Sequence, residues 1–428
     1  MNAMEKTDSR YSEYIQILKE ELLPAMGCTE PIAIAYAAAK AAEVLGARPE
    51  RLLVEVSGNI IKNVKSVVVP HTGGLRGIPA AAAAGTVAGD AGAELEVISN
   101  VTPEQIEEIA DFLRNTPIEV RHVDNGHIFD IGVTASKGDD SAYIRIADYH
   151  TNIVMIRLND NILFHKELDV PTESGLTDRS CLTIEGIVEF ADIVDVEEVR
   201  ETIERQIRYN MAIAEEGLAG DYGANIGSTM MLGHEYDLKY VMRSYAAAAS
   251  DARMNGCELP VVINSGSGNQ GITTSVPVIV YARANNRSKE ELLRALCVSN
   301  LVTTHLKTGI GRLSAYCGAV SAGCGAGAGI AYIQGLGIDG VAHTVVNALA
   351  VNSGIVCDGA KASCAAKISV AVEAGLMGLS MYKKGNEFFG GDGLVKNGVE
   401  STIDTVGRLA RFGMKETDEE IIRLMLED

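Results

Sequence analysis

Residues 313–338, from Leu313 to Ile338, read LSAYCGAVSAGCGAGAGIAYIQGLGI and contain no charged side chain. After Asp339 the chain stays uncharged as far as Cys357, which is long enough to span a bilayer. However, alanine, glycine and serine dominate, and the flanking aromatic belts and Lys/Arg asymmetry of membrane spans are missing. The composition predicts instead two helices, at 313–335 and 338–355, buried inside a large domain. We therefore expect no membrane segment.

Helical patterns also cover most of the chain outside this stretch. Further helices are predicted at 11–23, 29–46, 195–217, 234–255, 271–284, 288–307 and 360–383, and after Thr417. A short strand is predicted at Leu259–Ile263. The middle of the chain differs, because strands at 52–61, 65–69 and 94–98 and alternating runs between 118 and 164 predict an antiparallel meander.

These patterns together predict an α+β fold. We expect a mainly helical catalytic domain with an inserted α+β domain that contains an antiparallel sheet. N-terminal helices that join the catalytic domain are placed at 1–50, the inserted domain at 51–170, and the mainly helical domain at 171–428.

Charge and cysteine content narrow the functional classes. The 428 residues include 37 basic and 57 acidic side chains, which gives a net charge of −20. A strongly acidic protein repels phosphate backbones, so we expect no nucleic-acid partner. Eight cysteines are too few for a disulfide scaffold, and residues 1–10 lack the apolar stretch of a signal peptide. We expect a cytoplasmic protein with reduced thiols, in which clustered cysteines indicate metal binding or catalysis.

Cysteine placement is the most informative feature for function. Five of the eight cysteines lie in the helical half, at positions 297, 317, 324, 357 and 364. A cysteine beside glycine at a helix start exposes backbone N–H groups to its sulfur, and these stabilise a thiolate or a cluster sulfide. The short ligand spacing of structural zinc sites is missing, so an iron–sulfur cluster is favoured over zinc. Spacing alone leaves the ligands open among Cys317, Cys324, Cys357 and Cys364. We interpret Cys181, Cys257 and Cys297 as small buried hydrophobes.

Cys28 is a separate candidate. It precedes a predicted helix in the sequence Met26-Gly27-Cys28-Thr29-Glu30-Pro31. The helix dipole and the free N–H groups at such a position lower the pKa of a thiol, although Glu30 would oppose part of that shift. We expect Cys28 to be reactive.

A Gly-rich loop, Ser265-Gly266-Ser267-Gly268-Asn269-Gln270-Gly271, follows the predicted strand and matches G-x-G-x-x-G. A dinucleotide-binding fold needs a second strand ending in an acidic residue about 20 residues further on. Glu291 has that distance but belongs to a helix capping box, so the dinucleotide interpretation fails. We expect the loop to cradle a carboxylate or a phosphate with its N–H groups and polar side chains.

Five segments of the sequence carry a family resemblance. They are Cys28-Thr29-Glu30-Pro31, Gly58-Asn59-Ile60-Ile61-Lys62-Asn63, the loop Ser265–Gly271, Ser314-Ala315-Tyr316-Cys317-Gly318 and Cys357-Asp358-Gly359-Ala360-Lys361-Ala362-Ser363-Cys364-Ala365. As a set they resemble the L-cysteine desulfidase group, which includes UPF0597 proteins and belongs to the iron–sulfur L-serine dehydratase superfamily. The turn His71-Thr72-Gly73 also resembles a Ser-His-Thr-containing turn in the small domain of those dehydratases, although a structural capping turn explains it equally well.

The resemblance implies a [4Fe–4S] cluster held by Cys317, Cys357 and Cys364, the last two of which lie 40 and 47 residues after the first. Cys324 is left as either a fourth ligand or a core residue. With three protein ligands, one iron would keep an open position and act as a Lewis acid.

The resemblance also implies an iron–sulfur-dependent β-elimination of L-cysteine to sulfide, pyruvate and ammonia. Cys28 matches the proposed catalytic cysteine of the family, and as a thiolate it would remove the Cα proton. The substrate would bind at Ser265, Gly266, Ser267, Gly268, Asn269 and Gln270, with further contacts from His71, Thr72 and Lys361.

Three alternatives stay open at this point. An L-serine dehydratase would use the same cluster with a hydroxyl leaving group. A pyridoxal-phosphate lyase would need a Schiff-base lysine, for which Lys307 and Lys361 are available. A cluster-bearing sensor or ligand-binding protein would have no enzymatic activity. We expect a small amino acid as the partner, and homo-oligomer formation is left open.

Overall fold

The computed structural model describes residues 4–168, 176–311 and 314–427. Within these residues the chain is mainly helical, with one six-stranded and one two-stranded sheet. The predicted α+β class is confirmed. Leu313, where a predicted helix begins, and the predicted domain boundary at 170–171 lie outside the described residues.

The elements of the described residues are numbered in chain order. The helices are α1 Ser9–Glu21, α2 Thr29–Leu45, α3 Gly58–Val64, α4 Gly77–Ala88, α5 Pro103–Asn115, α6 Ile184–Ile193, α7 Val196–Ala219, α8 Ile226–Met231, α9 Leu238–Met254, α10 Gly268–Ala284, α11 Lys289–Ile310, α12 Gly318–Ile333, α13 Gly337–Asn352, α14 Cys364–Lys383, α15 Val399–Arg408 and α16 Lys415–Leu426. The strands are β1 Pro24–Met26, β2 Arg51–Val56, β3 Ile118–His122, β4 Asp130–Lys137, β5 Asp140–Ala147, β6 Ile153–Leu158, β7 Asn161–His165 and β8 Pro260–Val262.

The described structure has a larger, mainly helical half, which contains α1 and the helices from α6 to α15. Helix α12 is central to this half and packs against α10, α11, α13 and α14. A Cβ atom on Gly323 would lie 2.2 Å from the carbonyl oxygen of Ala371, and one on Gly325 would lie 2.1 Å from Thr303 Oγ1. Because both distances are far inside van der Waals contact, any side chain there would push α12 away from α14 or α11. The buried helix pair predicted from the uncharged stretch is confirmed as α12 and α13.

Helix α14 borders the same bundle. Among the described residues it is the one helix long and apolar enough to cross a membrane. In the fold, however, it packs against α9, α12 and α13. Its apolar character therefore matches that of a core helix.

The smaller half contains α2 to α5 and the strands from β2 to β7. It is built on a six-stranded sheet in the order β3-β2-β4-β5-β6-β7. Strands β4 to β7 form the predicted antiparallel meander, with Val133 opposite Ile144. Strand β3, by contrast, runs parallel to β2, with Leu52 opposite Ile118. The sheet is therefore mixed, because α3, α4 and α5 lie in the connection from β2 and return the chain to run in the same direction. Helix α2 packs on β4 and β5.

Three predicted strands are wrong in extent or in kind. The strand predicted at 52–61 ends at Val56, and Gly58 begins α3. The run at 65–69 makes only a single bridge, between Val68 and Arg76, and the run at 94–98 lies in and after a 3₁₀ helix at Ala91–Glu96. Short apolar runs are buried in either conformation, so periodicity cannot distinguish them.

A two-stranded sheet links the start of the chain to the Gly-rich loop. Strand β1 pairs antiparallel with β8, and Ala25 lies opposite Val261. The strand predicted at Leu259–Ile263 is confirmed as β8, whereas no strand is predicted at Pro24–Met26, which follows the helix predicted at 11–23. The pairing fixes the segment before α2 against the segment before α10.

Two hydrophobic clusters form the core of the described residues. One contains α1, α6, α7 and the helices from α9 to α15, and the other contains α2 to α5 with the inner strands of the large sheet. Cys28 belongs to the second cluster and Cys317 to the first. The predicted domain boundaries stay a prediction.

Candidate active site

A cavity of about 370 Å³ is lined by residues of both halves. Most of the site residues expected from the sequence line it, namely Cys28, Ser265, Gly266, Ser267, Asn269, Gln270, Cys317, Cys357 and Cys364. The other four, His71, Thr72, Gly268 and Lys361, are not part of its lining. Residues far apart in the sequence therefore meet at one place, although the roles assigned to them stay predictions.

Cys317, Cys357 and Cys364, here called the cysteine cluster, lie close enough to interact electrostatically. Cys317 is the N-cap residue of α12, and Cys364 begins α14. The two cysteine-bearing segments pair through the Cys317 N–H, which donates to the Ile355 carbonyl at 3.1 Å, and the Cys357 N–H, which donates to the Ala315 carbonyl at 2.6 Å. Backbone pairing thus brings Cys317 beside Cys357. Cys324 is buried in α12 and does not line the cavity.

Burial controls the ionisation of Cys317 and Cys364. It raises the pKa of Cys317 to about 12, and the neighbouring Cys357 thiol adds to the rise. Burial also raises the pKa of Cys364, while Lys367 opposes both shifts. Burial alone would lower the pKa of Lys367, but its ion pair with Asp358 raises it, so the ammonium group stays charged. Thiolates at this place therefore need additional positive charge beside them.

Cys28 comes from the smaller half, as the N-cap residue of α2. Its thiol is 4% exposed and donates to Glu30 Oε2 at 3.0 Å. The other carboxylate oxygen, Oε1, accepts from the Asn63 amide at 3.0 Å. The Cys28 proton is therefore directed at a carboxylate whose position Asn63 holds.

The expected lowering of the Cys28 pKa is wrong. Burial raises the pKa of Cys28 well above its usual value, and the Glu30 carboxylate raises it further, although Arg253 opposes the shift. Burial would also raise the pKa of Glu30, but the charge of His150 and the Cys28 hydrogen bond lower it. In this structure Cys28 is a neutral thiol beside an ionised carboxylate, because these effects outweigh the helix N-terminus.

The Gly-rich loop joins β8 to α10. Ser265 and Gly266 take left-handed backbone conformations, with φ of 49° and 77°. Ser267 is the N-cap residue of α10 but makes no side-chain capping bond. Since the first turn of a helix leaves its N–H groups unpaired, the loop presents N–H donors and the Ser267 hydroxyl to the cavity. The Ser265 hydroxyl, by contrast, donates to Asn264 Oδ1 at 2.9 Å.

Gly268 has a different role from its neighbours in the loop. A Cβ atom at this position would lie 2.3 Å from Arg253 Nε. Gly268 therefore makes room for the Arg253 guanidinium, which also lines the cavity. Sequence reasoning missed Arg253, although a charged residue at the end of the alanine-rich run 246–254 was a usable signal, since isolated charges are rarely buried.

Other lining residues were also missed. Lys62 and Asn63 belong to the segment Gly58–Asn63, which carried the resemblance without an assigned role. Lys62 forms an ion pair with Asp418 of α16. The loops before β4 and after β5 contribute His127, Asp148 and His150, which no sequence motif marked.

Three predicted residues make other contacts. His71 Nδ1 lies 3.1 Å from a Glu258 carboxylate oxygen. The Thr72 hydroxyl donates to the Val69 carbonyl at 2.7 Å and closes the turn. Lys361 pairs with Asp358 at 2.6 Å, so Lys367 is the lysine of this segment that reaches the cavity.

Comparison with known proteins identifies the family. A family model described as serine dehydratase alpha chain matches residues 80–423, which include the Gly-rich loop and the cysteine cluster. The chain belongs to this family. A UPF0597 protein of Desulfitobacterium hafniense is 57% identical over 424 residues, 99% of this chain and 98% of that protein. UPF0597 proteins of Lachnoclostridium phytofermentans and Treponema denticola are 50% and 47% identical, over 97% and 98% of this chain and 100% and 99% of their own lengths. The predicted membership in the UPF0597 group of serine dehydratase-like proteins is confirmed, and such a family indicates a lyase-like enzyme.

Proposed function

We propose that this serine dehydratase-like protein catalyses β-elimination of L-cysteine, releasing sulfide, pyruvate and ammonia. The observation that carries the proposal is that one cavity is lined by three mutually interacting thiols, the Gly-rich loop before α10 and a thiol–carboxylate pair. Elimination needs a group that accepts the leaving sulfur, a group that holds the carboxylate and a group that takes the Cα proton. The cavity offers a candidate for each.

The cysteine cluster fits a [4Fe–4S] group. Among the described residues, no three His, Cys, Asp or Glu side chains are placed to bind a single metal ion. The set consists of three thiols, of which Cys317 is buried and Cys357 and Cys364 are half-buried, and it includes neither a carboxylate nor an imidazole. Such a set suits soft iron–sulfur ligation by cysteine. When bound, a cluster with three protein ligands would supply a Lewis-acidic iron with an open position.

The proton chemistry is assigned to Cys28 and Glu30. In the structure the proton sits on Cys28 Sγ and is directed at Glu30 Oε2. Before Cys28 can accept a proton from Cα, its own proton must pass to Glu30, which is ionised and able to receive it. Asn63 holds the carboxylate in place through its other oxygen.

The reaction also requires that the substrate stay oriented while the Cα proton leaves. The N–H groups at the start of α10 and the Ser267 hydroxyl would hold the carboxylate. Since the loop is fixed by β8 and by the bridge between Asn264 and Ser267, these donors are positioned before the substrate arrives.

The direct test is anaerobic reconstitution of the full chain with iron and sulfide. The reconstituted protein is expected to bind about four irons and to release sulfide and pyruvate from L-cysteine. The same protein treated with a chelator is the control and should be inactive. A protein that takes up no iron and instead shows a borohydride-reducible chromophore would contradict the proposal.

L-Serine dehydration is the second candidate, favoured by the description of the matching family. Hydroxyl and thiol leaving groups need a similar geometry at the same cavity. Pyruvate release from both amino acids should therefore be compared on one preparation, and a higher kcat/KM for L-serine would make dehydration the main activity.

A further inference from the structure

Two buried side chains that line the cavity each keep one polar atom without a partner. Arg253 and Gln270 are both 5% exposed. Arg253 Nε and Gln270 Oε1 have no hydrogen-bond partner in the described part of the chain. Buried polar atoms are nearly always paired in folded proteins. Unpaired atoms on two side chains that line one cavity therefore indicate a ligand with both an acceptor and a donor.

The surroundings of Arg253 identify the acceptor. Its Nη1 donates to Asn269 Oδ1 at 3.2 Å, which leaves the charge without a carboxylate at ion-pairing distance among residues 4–168, 176–311 and 314–427. Arg243, on the same helix α9, has by contrast an ion pair with Glu373 at 2.9 Å. A buried guanidinium needs an anionic partner, and its planar donors suit a carboxylate.

Two other cations that line the cavity, Lys62 and Lys367, are already neutralised by carboxylates. Lys62 pairs with Asp418, and Lys367 pairs with Asp358. Glu30 interacts with Arg253 electrostatically but forms no ion pair with it in the described structure. Arg253 therefore differs from Lys62 and Lys367 in having no carboxylate paired with it in the described structure, so its charge is available to a ligand carboxylate.

The surroundings of Gln270 identify the donor. Its amide lies against the backbone of Gly318, where a Cβ atom would be only 2.6 Å from Gln270 Cδ. The amide is thus next to Cys317, at the cysteine cluster. An unpaired amide oxygen accepts hydrogen bonds, so the ligand must present an N–H or ammonium group there.

We propose that Arg253 and Gln270 bind the α-carboxylate and the α-ammonium group of a free amino acid. The site then selects the zwitterion over amides, esters and peptides, whose ends cannot satisfy both side chains. The inference rests on the proposed function, because it assigns the two charged ends of the same substrate. It also explains Gly268, whose missing side chain makes room for the guanidinium.

The test is a calorimetric binding cycle on the full chain with L-alanine, L-alaninamide and propionate as probes. None of these has a β-leaving group, so binding is measured without turnover. We expect the wild type to bind L-alanine at least about 30-fold more tightly than either analogue, as for loss of one buried charge contact. For Arg253→Met, the dissociation constants of L-alanine and L-alaninamide should differ by no more than about threefold. For Gln270→Met, those of L-alanine and propionate should differ by no more than about threefold.

Two further variants distinguish a loss of specific binding from a loss of folding. Arg243→Met, on the same helix but outside the cavity lining, is the matched control and should keep the wild-type preferences. Gly268→Ala retains the guanidinium but displaces it, so it should lose the preference for L-alanine over L-alaninamide.

The outcomes separate this inference from the proposed function. If Arg253→Met or Gly268→Ala keeps the full preference for L-alanine over L-alaninamide, the assignment of Arg253 is overturned. If the wild type binds all three probes equally, the whole inference is overturned. A protein that discriminates as expected but releases neither sulfide nor ammonia from any amino acid supports the inference and contradicts the lyase function.

Discussion

The cavity contains two kinds of buried thiol, and they face opposite charges. In the cysteine cluster of the helical half, Lys367 opposes the rise in the pKa values of Cys317 and Cys364. Cys28 of the smaller half faces the Glu30 carboxylate, which adds to the rise. Burial is common to both, so the neighbouring charge is what distinguishes them.

This difference separates two kinds of chemistry. A thiol beside a cation is suited to become a thiolate ligand, since ligation releases its proton. A thiol beside a carboxylate is suited to exchange a proton with it. Cys297 provides a third case for comparison, because it is fully buried in the helical core and does not line the cavity. The predictions below test these three environments.

The largest effect is expected at the cysteine cluster. Cys317→Ser should reduce bound iron to background after anaerobic reconstitution. Because the Lewis acid is lost with the iron, sulfide release should fall by at least about 1,000-fold. Iron analysis and a sulfide assay check both results. Cys324→Ser, on the same helix but outside the cavity lining, is the matched control and should keep iron and activity. Iron retention by Cys317→Ser would remove Cys317 from the ligand set.

Cys28 is expected to behave differently. Cys28→Ser should keep the iron content of the wild type and lower kcat by about 100- to 10,000-fold, as for loss of a proton-transfer group. Steady-state kinetics on reconstituted protein measure this effect. Full activity in this variant would show that Cys28 is not the base, and loss of iron would place it with the cysteine cluster.

Glu30→Gln is expected to have a smaller effect on rate and a diagnostic effect on pH dependence. Removing the charge takes away an interaction that raises the pKa of Cys28, so the thiolate should form at lower pH than in the wild type. The measurement is the alkylation rate of Cys28 against pH, followed by mass spectrometry of its peptide.

At the same time kcat for Glu30→Gln should fall by about 10- to 100-fold, because the proton acceptor is lost. A more ionised thiol with a lower rate would identify Glu30 as the acceptor. Glu400→Gln, whose carboxylate pairs with His305 outside the cavity lining, is the control for general effects of an acidic-to-amide change. An unchanged alkylation profile would show that Glu30 does not act on Cys28.

The smallest effect is expected at Cys297. Burial raises its pKa to about 12. The native state therefore holds this proton at pH values where the unfolded chain releases it, so stability falls as pH rises above the usual thiol pKa. Between about pH 9 and 10, the wild type should lose about 1 kcal/mol more unfolding free energy than Cys297→Ala. Urea unfolding at both pH values checks this, and equal losses would contradict the pKa shift.

Much of the fold was readable from local patterns. The uncharged run predicted α12 and α13, and strong capping signals such as Ser288 with Glu291 predicted where helices begin. The parallel pairing of β2 with β3 was not predicted, because it depends on where three intervening helices place the returning chain. The runs at 65–69 and 94–98 were wrongly predicted as strands. An apolar pattern predicts that such a run is buried, but it does not predict its backbone conformation.

The candidate site was predictable in its residue types but not in its electrostatics. Motifs marked Cys28, the loop at 265–270 and the three cysteines of the cluster, and all of these segments meet at one cavity. The direction of the Cys28 pKa shift was not predictable, because it depends on burial and on the Cys28–Glu30 contact. Arg253 was missed because its importance comes from lacking an acidic partner among the residues that the structure describes, which is a property of the packed structure.

The sequence by itself determined the helical core, the Gly-rich loop and the set of thiols, since each depends on local composition and short-range spacing. The tertiary structure alone decided which charge faces each thiol and which cation stays unpaired. The physical reason is that hydrophobic pattern and capping act between neighbours along the chain, whereas desolvation and Coulomb interactions act between neighbours in space. In this protein those spatial neighbours come from two halves that meet at the cavity.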